Sequence, residues 1–340
     1  MGMKKNNLQS DFHRFKKNIS DSLPFLKQIF KEKGLRGELI RGAAGSFGLK
    51  TASVFMGLIS SLVLARVLGP EKFGIYTFAF SIVIMLSVPA QLGLPNLLVR
   101  YVAQYEVQEE WGKLKGVMKR SNQAVLIFSL VAVICGFFLA FVLFSSVTSD
   151  EAVVFYWALL LIPIASLGAL KAAALRGLRY IVLGLAPDKV IQQGLLVAGV
   201  IMVYYIISAK SVSAETTMII HVLAAAISFL IGAWWLINRL PDKVRKAKPE
   251  FKNKKWINVA LPFLFIGGSQ ILIGRIDIAM LGWYSDSANV GLYEVAVKSS
   301  KIVSFGLIAM NLIVAPYFSR LYHSDKINLN NNSTVLQKNN

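Results

Sequence analysis

The chain has 340 residues, of which 55% are hydrophobic and only 16% are charged, and its mean hydropathy is +0.56. A soluble protein of this length has too little interior for so much apolar surface, so the composition indicates an integral membrane protein. A net charge of +19 would also suit a nucleic-acid-binding protein, and the placement of that charge decides between the two classes.

The sequence lacks the motifs of common soluble enzymes. Its one cysteine, Cys135, lies in an apolar run, and the three histidines His13, His221 and His323 are far apart along the chain. The sequence shows no metal-ligand cluster, phosphate-binding loop, dinucleotide fingerprint or nucleophile elbow. We therefore expect no metal, no cofactor and no enzymatic activity. The polar N-terminus also predicts no cleavable signal peptide.

Eight apolar segments are long enough to cross a bilayer as helices, for which about 20 residues suffice. In chain order they are residues 47–68, 74–99, 122–144, 152–175, 188–208, 217–237, 258–282 and 290–316. The basic residues 1–44 that precede them suit either a helix on the membrane surface or a solvated tail. Residues 325–340 are polar and rich in asparagine, so we expect them to be disordered.

The basic residues alternate between the connections, and this predicts the orientation of the spans. Of the 37 lysines and arginines, 31 lie among residues 1–50, after span eight, or at the connections after spans two, four and six, counting Lys171 at the end of span four. Only Arg66, Lys72 and Lys210 lie on the other side. Cytoplasmic connections carry such an excess, so both termini are predicted to be cytoplasmic. The charge is spread over all these connections and forms no single patch, which argues against nucleic-acid binding.

A short repeat relates span two to span eight. Residues 74–79 (GIYTFA) and 291–296 (GLYEVA) share one pattern, are separated by 217 residues, and each follow a span that ends in Leu-Gly. Both helix pairs have the same predicted orientation, so the pattern indicates a parallel duplication of a six-helix unit. Two such units need more than about 400 residues, and we therefore expect this chain to be a truncated form of a longer protein.

Several segments together carry a family resemblance. They are residues 41–46 (RGAAGS), 64–76 (LARVLGPEKFGIY), 92–95 (LGLP), 99–101 (VRY), 175–179 (LRGLR), 183–184 (LG), 277–282 (DIAMLG) and 290–293 (VGLY). In this order they closely resemble the polysaccharide flippases of the multidrug/oligosaccharidyl-lipid/polysaccharide exporter superfamily. The resemblance covers roughly residues 40–320. It implies an all-α, polytopic, MATE-like transmembrane helix bundle.

The resemblance and the repeat together predict the organisation of the chain. The expected parts are a basic cytoplasmic N-terminal segment (1–44), a first six-helix lobe (45–238), a basic cytoplasmic linker (239–257), the first two helices of a second lobe (258–316) and a polar cytoplasmic tail (317–340). Family members are typically longer, with twelve or more helices, which agrees with the length that the repeat requires.

The function implied by the resemblance is transport without covalent chemistry. Such a protein moves an anionic, polyprenyl-diphosphate-linked glycan from the cytoplasmic to the outer leaflet of the cell membrane, for cell-surface polysaccharide biosynthesis. Its partners would be membrane lipids, this glycan, and a coupling proton or sodium ion. Three alternatives stay open: a cation-coupled drug exporter of the same fold, a membrane glycosyltransferase or polymerase, and an inactive truncated remnant. The exporter should have an acidic cavity, and the enzyme a sizeable charged outer loop.

Five ionisable residues lie inside the last two predicted spans, and they are the candidate site: Arg275, Asp277, Glu294, Lys298 and Lys301. A charge near the bilayer centre costs at least ~2.5 kcal/mol on insertion scales, so such residues normally face protein or a water-filled cavity. The last three have the spacing i, i+4, i+7, which places them on one helix face. We predict that Lys298, Lys301 and Arg275 line a cavity and bind the phosphates of an anionic headgroup, and that Glu294 belongs to the same substrate-binding site.

A purely structural interpretation of the same residues stays open. In it, Glu294 pairs with Lys298, Arg275 pairs with a carboxylate on a neighbouring helix, and Lys301 extends to the membrane edge. Asp277 is a candidate for binding the coupling proton or sodium ion, although burial against an arginine would hold it ionised. Arg275 and Asp277, two residues apart on a helix, cannot share a face.

A reporter fused after Pro241 tests the predicted orientation. Pro241 lies in the basic connection after span six, so a reporter that works only in the cytoplasm should be active there. A fusion after Asp150, in the connection after span three, should show the opposite activity. Activity of a periplasmic-type reporter at Pro241 would overturn both the topology and the parallel repeat.

Overall fold

The structure is a computed structural model, and it describes residues 35–143, 149–207 and 212–303. Within these ranges the chain is all-α and contains no strand, so the predicted fold class is confirmed. Residues 1–34, most of the predicted surface segment, lie outside the described residues, as do the second half of span eight and the tail 317–340.

The described helices follow one another with short connections. They are α1 (Leu35–Gln91), α2 (Leu94–Val107), α3 (Trp111–Leu143), α4 (Ser149–Leu159), α5 (Leu161–Gly177), α6 (Ile181–Ala186), α7 (Gln192–Met202), α8 (Ala214–Arg239), α9 (Asp242–Lys246), α10 (Asn253–Ile273), α11 (Ile276–Tyr284) and α12, described over 287–303. Two π-helical turns, Pro187–Ile191 and Val203–Ile207, lie on either side of α7.

Six helical segments among the described residues are long and apolar enough to cross a membrane. The first, Gly45–Gln91, contains predicted span one and most of predicted span two, and the other five overlap predicted spans three to seven. The chain is therefore a multi-pass membrane protein. Its division into a complete lobe and the start of a second lobe stays a prediction.

The chain reverses direction at Gly69, inside α1. Gly69 has φ 78° and ψ 167°, which breaks the helix, and Pro70 begins the next helical stretch, where its missing N–H costs nothing. Pro70 lies against Gly291 of α12, whereas Val54 lines a cavity with Lys301, farther along α12. The first half of α1 therefore runs antiparallel to α12. The predicted loop after span one is in fact helical from Pro70 onward.

Two other predicted spans are interrupted, which corrects their boundaries. Span two ends at Gln91, because Leu92 and Gly93 have φ values of 49° and 67° and the separate helix α2 begins after them. Span seven is not one helix over 258–282. It consists of α10 and α11, which are separated at Gly274 and Arg275, where Arg275 has a φ of −141°.

The three basic connections meet at one end of the bundle, which we call the basic end. The connection after span six packs on the start of α3, where the Glu250 N–H donates to the Gly112 carbonyl over 3.0 Å. The Arg239 guanidinium lies 5.2 Å from the ring centre of Tyr180, which belongs to the connection after span four. The alternation of charge along the sequence thus corresponds to one end of the folded chain.

Spans two and eight cross at their repeated glycines. A Cβ atom on Gly74 would overlap the carbonyl group of Ser287, and one on Gly291 would overlap the carbonyl oxygen of Pro70. Either Cβ would also lie 3.2 Å from the backbone nitrogen of the other glycine. Pro70 and Ser287 are separated by the same 217 residues as the two glycines, so the contact is reciprocal, as at a two-fold axis.

The two crossing helices are parallel, as the repeat predicts. Ser81, which follows Gly74 along α1, contacts Arg275. Arg275 pairs with Glu294, which likewise follows Gly291 along α12. A two-fold axis between parallel helices runs along them and not across them. The local geometry is that of a parallel duplication, and superposition of the complete helix pairs stays a prediction.

Replacing either crossing glycine should destabilise the protein. Gly74→Ala and Gly291→Ala each place a methyl group on a backbone carbonyl, and such overpacking typically costs about 1–3 kcal/mol. The denaturation midpoint in detergent measures the loss. Gly48→Ala is the matched control, because nothing lies within 4 Å of its added Cβ. Equal stability of Gly74→Ala and Gly48→Ala would refute the close crossing.

Candidate functional site

A buried carboxylate, Glu294, is at the centre of the predicted site. Its side chain is 5% exposed, and its Oε1 lies 3.2 Å from Lys298 Nζ and 3.5 Å from Arg275 Nη1. Lys298 follows at i+4 on α12, whereas Arg275 comes from the break between α10 and α11. One carboxylate therefore lies between two cations, which satisfies the rule that a buried charge needs partners.

Arg275 connects this ion cluster to α1. Its guanidinium lies 5.2 Å from the ring centre of Phe80, and Nη1 lies 3.5 Å from Ser81 Oγ. Arg275 immediately precedes α11, and its backbone is not helical, so its side chain need not follow the face of α11. The cation thereby contacts spans two and eight together.

Lys298 and Lys301 also border a cavity of about 240 Å³ between α12 and the first half of α1. The third wall is the π-helical turn with its neighbours, which contributes Asp188, Lys189 and Gln193. Glu294 is buried, Lys298 is partly buried and Lys301 is exposed, so the predicted polar face passes from the interior into this space. Arg275 is not part of the wall and joins the site only through Glu294.

Both of the earlier interpretations describe part of this arrangement. The structural one is right that Glu294 pairs with Lys298, and the carboxylate beside Arg275 is again Glu294. The cavity interpretation is right that Lys298 and Lys301 share a polar space. Whether these residues bind a substrate stays a prediction.

Asp277 lies apart from the ion cluster. It accepts a hydrogen bond from the Tyr293 hydroxyl over 2.9 Å and another from the N–H of Ile278 over 2.8 Å. Among the described residues Asp277 forms no ion pair, and the nearby Arg275 pairs with Glu294. Its role in ion coupling stays a prediction.

A second ion pair supports the cavity wall, and sequence reasoning missed it. Lys171 is 4% exposed, its Nζ lies 3.4 Å from Asp188 Oδ1, and it also lies 5.2 Å from the ring centre of Phe229. Lys171 was counted with the basic connection after span four, although it is buried among helices. The sequence feature that pointed to this ion pair was a lysine inside the apolar span four.

Sequence reasoning also missed a buried hydrogen-bonded network beside the ion cluster. His221 is 1% exposed, with Nδ1 2.7 Å from the Tyr76 hydroxyl and Nε2 3.0 Å from the Gln192 side-chain amide. The centre of the Phe80 ring lies 4.9 Å from the centre of the His221 ring. The Arg275 guanidinium lies 5.2 Å from the same Phe80 ring centre. The signal was Tyr76, which belongs to the repeated motif and has Tyr293 as its counterpart.

The site offers charge and hydrogen bonds but no metal ligand set. No group of three or more His, Cys, Asp or Glu side chains that could hold a metal occurs in the part of the chain that the structure describes. The arrangement can attract an anion through its lysines, and it can change its hydrogen bonds when helices move.

The fold is similar to that of solved transporters. A MATE multidrug transporter, DinF-BH, solved in complex with a ligand, has a TM-score of 0.59 at 14% identity, covering 83% of this chain and 65% of its own. An inward-facing MATE transporter of the MOP superfamily gives 0.57 at 16% identity, covering 75% and 58%. A MOP superfamily transporter from Pyrococcus furiosus, described as having a binding pocket of reverse polarity, gives 0.54 at 15%, covering 83% and 62%.

The chain thus has the fold of the MATE and MOP transporters, and it spans less than two thirds of the length of these three structures. The family model described as "Polysaccharide biosynthesis protein" matches residues 39–322. The chain belongs to this family. No curated protein matches it.

Removing the central carboxylate should destabilise the protein strongly. Glu294→Gln leaves Arg275 and Lys298 without their shared counter-charge, and breaking a buried ion pair in this way typically costs about 3–5 kcal/mol. Unfolding by a denaturing detergent in mixed micelles measures the change in free energy.

The matched control is Asp242→Asn, which also removes a carboxylate facing an arginine. Asp242 is 85% exposed and lies 3.9 Å from Arg245, and an exposed pair of this kind contributes about 0–1 kcal/mol. If the two variants lost the same small amount of stability, Glu294 would not be the charge that holds the cluster together.

Proposed function

We propose that this transporter carries an anionic, polyprenyl-diphosphate-linked precursor of a cell-surface polysaccharide from the cytoplasmic to the outer leaflet of the cell membrane. In this proposal the basic end of the bundle and both termini are cytoplasmic. The observation that carries it is the cavity bordered by Lys189, Lys298 and Lys301.

The charge of this cavity favours an anionic ligand. Three lysines border it, and Asp188, the one carboxylate among the described residues that line it, already pairs with the buried Lys171 on the other side. Glu294 engages Lys298 from outside the cavity, and an ammonium group has three donors, so Lys298 can still donate to a ligand. Lys301 has no ion pair among the described residues. Phosphate oxygens are suitable acceptors for such donors.

The family supports a glycan as the cargo. Polysaccharide biosynthesis in a membrane transporter family requires a translocation step, and a lipid-linked intermediate presents a phosphate group close to the membrane. Lysines at the membrane level suit that group, because each acts as a mobile point charge.

The competing functions make different demands on the same cavity. A drug exporter for cationic compounds should present carboxylates, whereas lysines predominate here. A membrane enzyme should have a large charged loop opposite the basic end, and the connections there are short in the sequence. An inactive remnant should bind no diphosphate at all.

Neutralising both lysines should weaken substrate binding. Farnesyl diphosphate serves as a short polyprenyl diphosphate, and its binding to the purified protein is measured by isothermal titration. Lys298→Gln with Lys301→Gln should weaken it at least about tenfold, because two charge-assisted contacts are lost. Arginine at both positions should retain part of the affinity, since the positive charge is kept.

The control is the pair Lys246→Gln and Lys254→Gln, two exposed lysines at the basic end that do not border the cavity. It should bind like the unmodified protein. The same variants in cells, scored by surface polysaccharide, test export while antibody detection checks insertion. Unchanged diphosphate affinity, or normal export, in the double cavity variant would contradict the proposal.

A further inference from the structure

An apolar groove of about 420 Å³ lies between α3 and α10, on the outside of the bundle near the basic end. Its floor is the junction of α1 and α2, where Leu92 and Leu94 face it. The groove is separate from the lysine cavity, and the two share no lining residue. An inference about it is therefore independent of the transported substrate.

The groove changes character along its length. At the basic end it is bordered by Arg120 and Gln123 of α3 and by Asn253, the first residue of α10. Farther along both helices it is bordered only by apolar side chains, among them Ile127 and Leu261, which are 60% and 56% exposed. The polar residues of the groove therefore correspond to the headgroup layer of one leaflet, and the apolar residues correspond to its hydrocarbon layer.

Charge at the mouth of the groove is uncompensated. Arg120 is exposed, and within the described ranges its guanidinium has no hydrogen bond or ion pair. None of the described residues that border the groove is acidic, whereas Lys119, Lys254 and Lys255 lie next to it in sequence. Basic pockets between membrane helices on the cytoplasmic side are suited to anionic lipid headgroups.

The floor of the groove is held in place by close packing. Gly93, with a φ of 67°, lies so close to α10 that a Cβ atom would overlap the Ala260 carbonyl oxygen. Next to it, the Trp256 indole N–H donates to the Tyr105 hydroxyl over 3.1 Å. The space therefore exists before any ligand enters, which reduces the conformational cost of binding.

We propose that this groove binds one anionic phospholipid of the leaflet at the basic end. The phosphate and the negatively charged headgroup contact Arg120, with Gln123 and Asn253 as hydrogen-bond partners. One acyl chain lies along the apolar walls, between α3 and α10. Because α3 belongs to the predicted first lobe and α10 to the second, the lipid bridges the two and stabilises their packing.

The test compares two lipids on the purified full chain. The protein is exchanged into micelles with equal amounts of phosphatidylglycerol and phosphatidylcholine, and retained lipid is counted by native mass spectrometry. The unmodified protein should retain phosphatidylglycerol at least about fivefold over phosphatidylcholine. Equal retention of the two lipids would overturn the proposal, as would retention of neither, which would mean that another part of the chain fills the groove.

Two variants assign that preference to the groove. Arg120→Gln should lose the preference for phosphatidylglycerol and keep its phosphatidylcholine, because only the charge at the mouth is removed. Ala124→Trp should retain less of both lipids, since the indole fills the groove that Ala124 borders. The preference persisting in Arg120→Gln, or full retention in Ala124→Trp, would contradict the assignment.

Each variant has a control that makes the same substitution away from the groove. Lys119→Gln removes an exposed positive charge one residue away that does not border the groove, and Ala198→Trp adds an indole to an exposed position on α7. Both should retain lipid as the unmodified protein does. A loss in Lys119→Gln equal to that in Arg120→Gln would reduce the effect to general surface charge and overturn the specific site.

Discussion

The need to neutralise one buried carboxylate, Glu294, determines much of the geometry around the lysine cavity. A carboxylate with 5% of its side chain exposed requires cationic partners, and it has two, Lys298 and Arg275. Lys298 is one turn away on the same helix. Arg275 reaches Glu294 from the point where α10 ends and α11 begins, so the helix break and the ion cluster belong together. The same guanidinium contacts Ser81, which fixes span two beside span eight.

The crossing of Gly74 and Gly291 brings two nearly equivalent helices together, but their chemistry differs. The position equivalent to Glu294 in the first repeat is Thr77, and the position equivalent to Lys298 is Ser81. Arg275 contacts Ser81 of span two. Ser81 is the repeat counterpart of Lys298, which shares Glu294 with Arg275, so this contact crosses the two-fold axis. The backbone contact is symmetric and the charge is one-sided, so Lys298 and Lys301 border the cavity from α12.

The sequence was sufficient to predict the helical spans, because their apolar length is a property of composition that tertiary packing does not alter. It also predicted the common face of Glu294, Lys298 and Lys301, since that face depends only on helical spacing. It did not predict the helix breaks at Gly93 and Gly274. The break at Gly93 lies against the α10 backbone at Ala260, which is distant in sequence.

The networks around His221 and Lys171 were beyond sequence reasoning for the same physical cause. His221 meets Tyr76 only when α8 packs against α1, and Lys171 meets Asp188 only because a π-helical turn shifts that residue. In an apolar span a single polar residue gives no indication of its partner. Its presence signals that a partner exists, and the fold then determines which one.

A double-mutant cycle between Arg275 and Glu294 tests the central claim most directly. The free energy of unfolding in mixed micelles is measured for Arg275→Gln, Glu294→Gln and the double variant. The account predicts that the double variant loses less stability than the sum of the two single losses, by about 1–3 kcal/mol, because each single change leaves a buried charge without its partner. Strictly additive losses would contradict it and would mean that Glu294 does not organise this part of the structure.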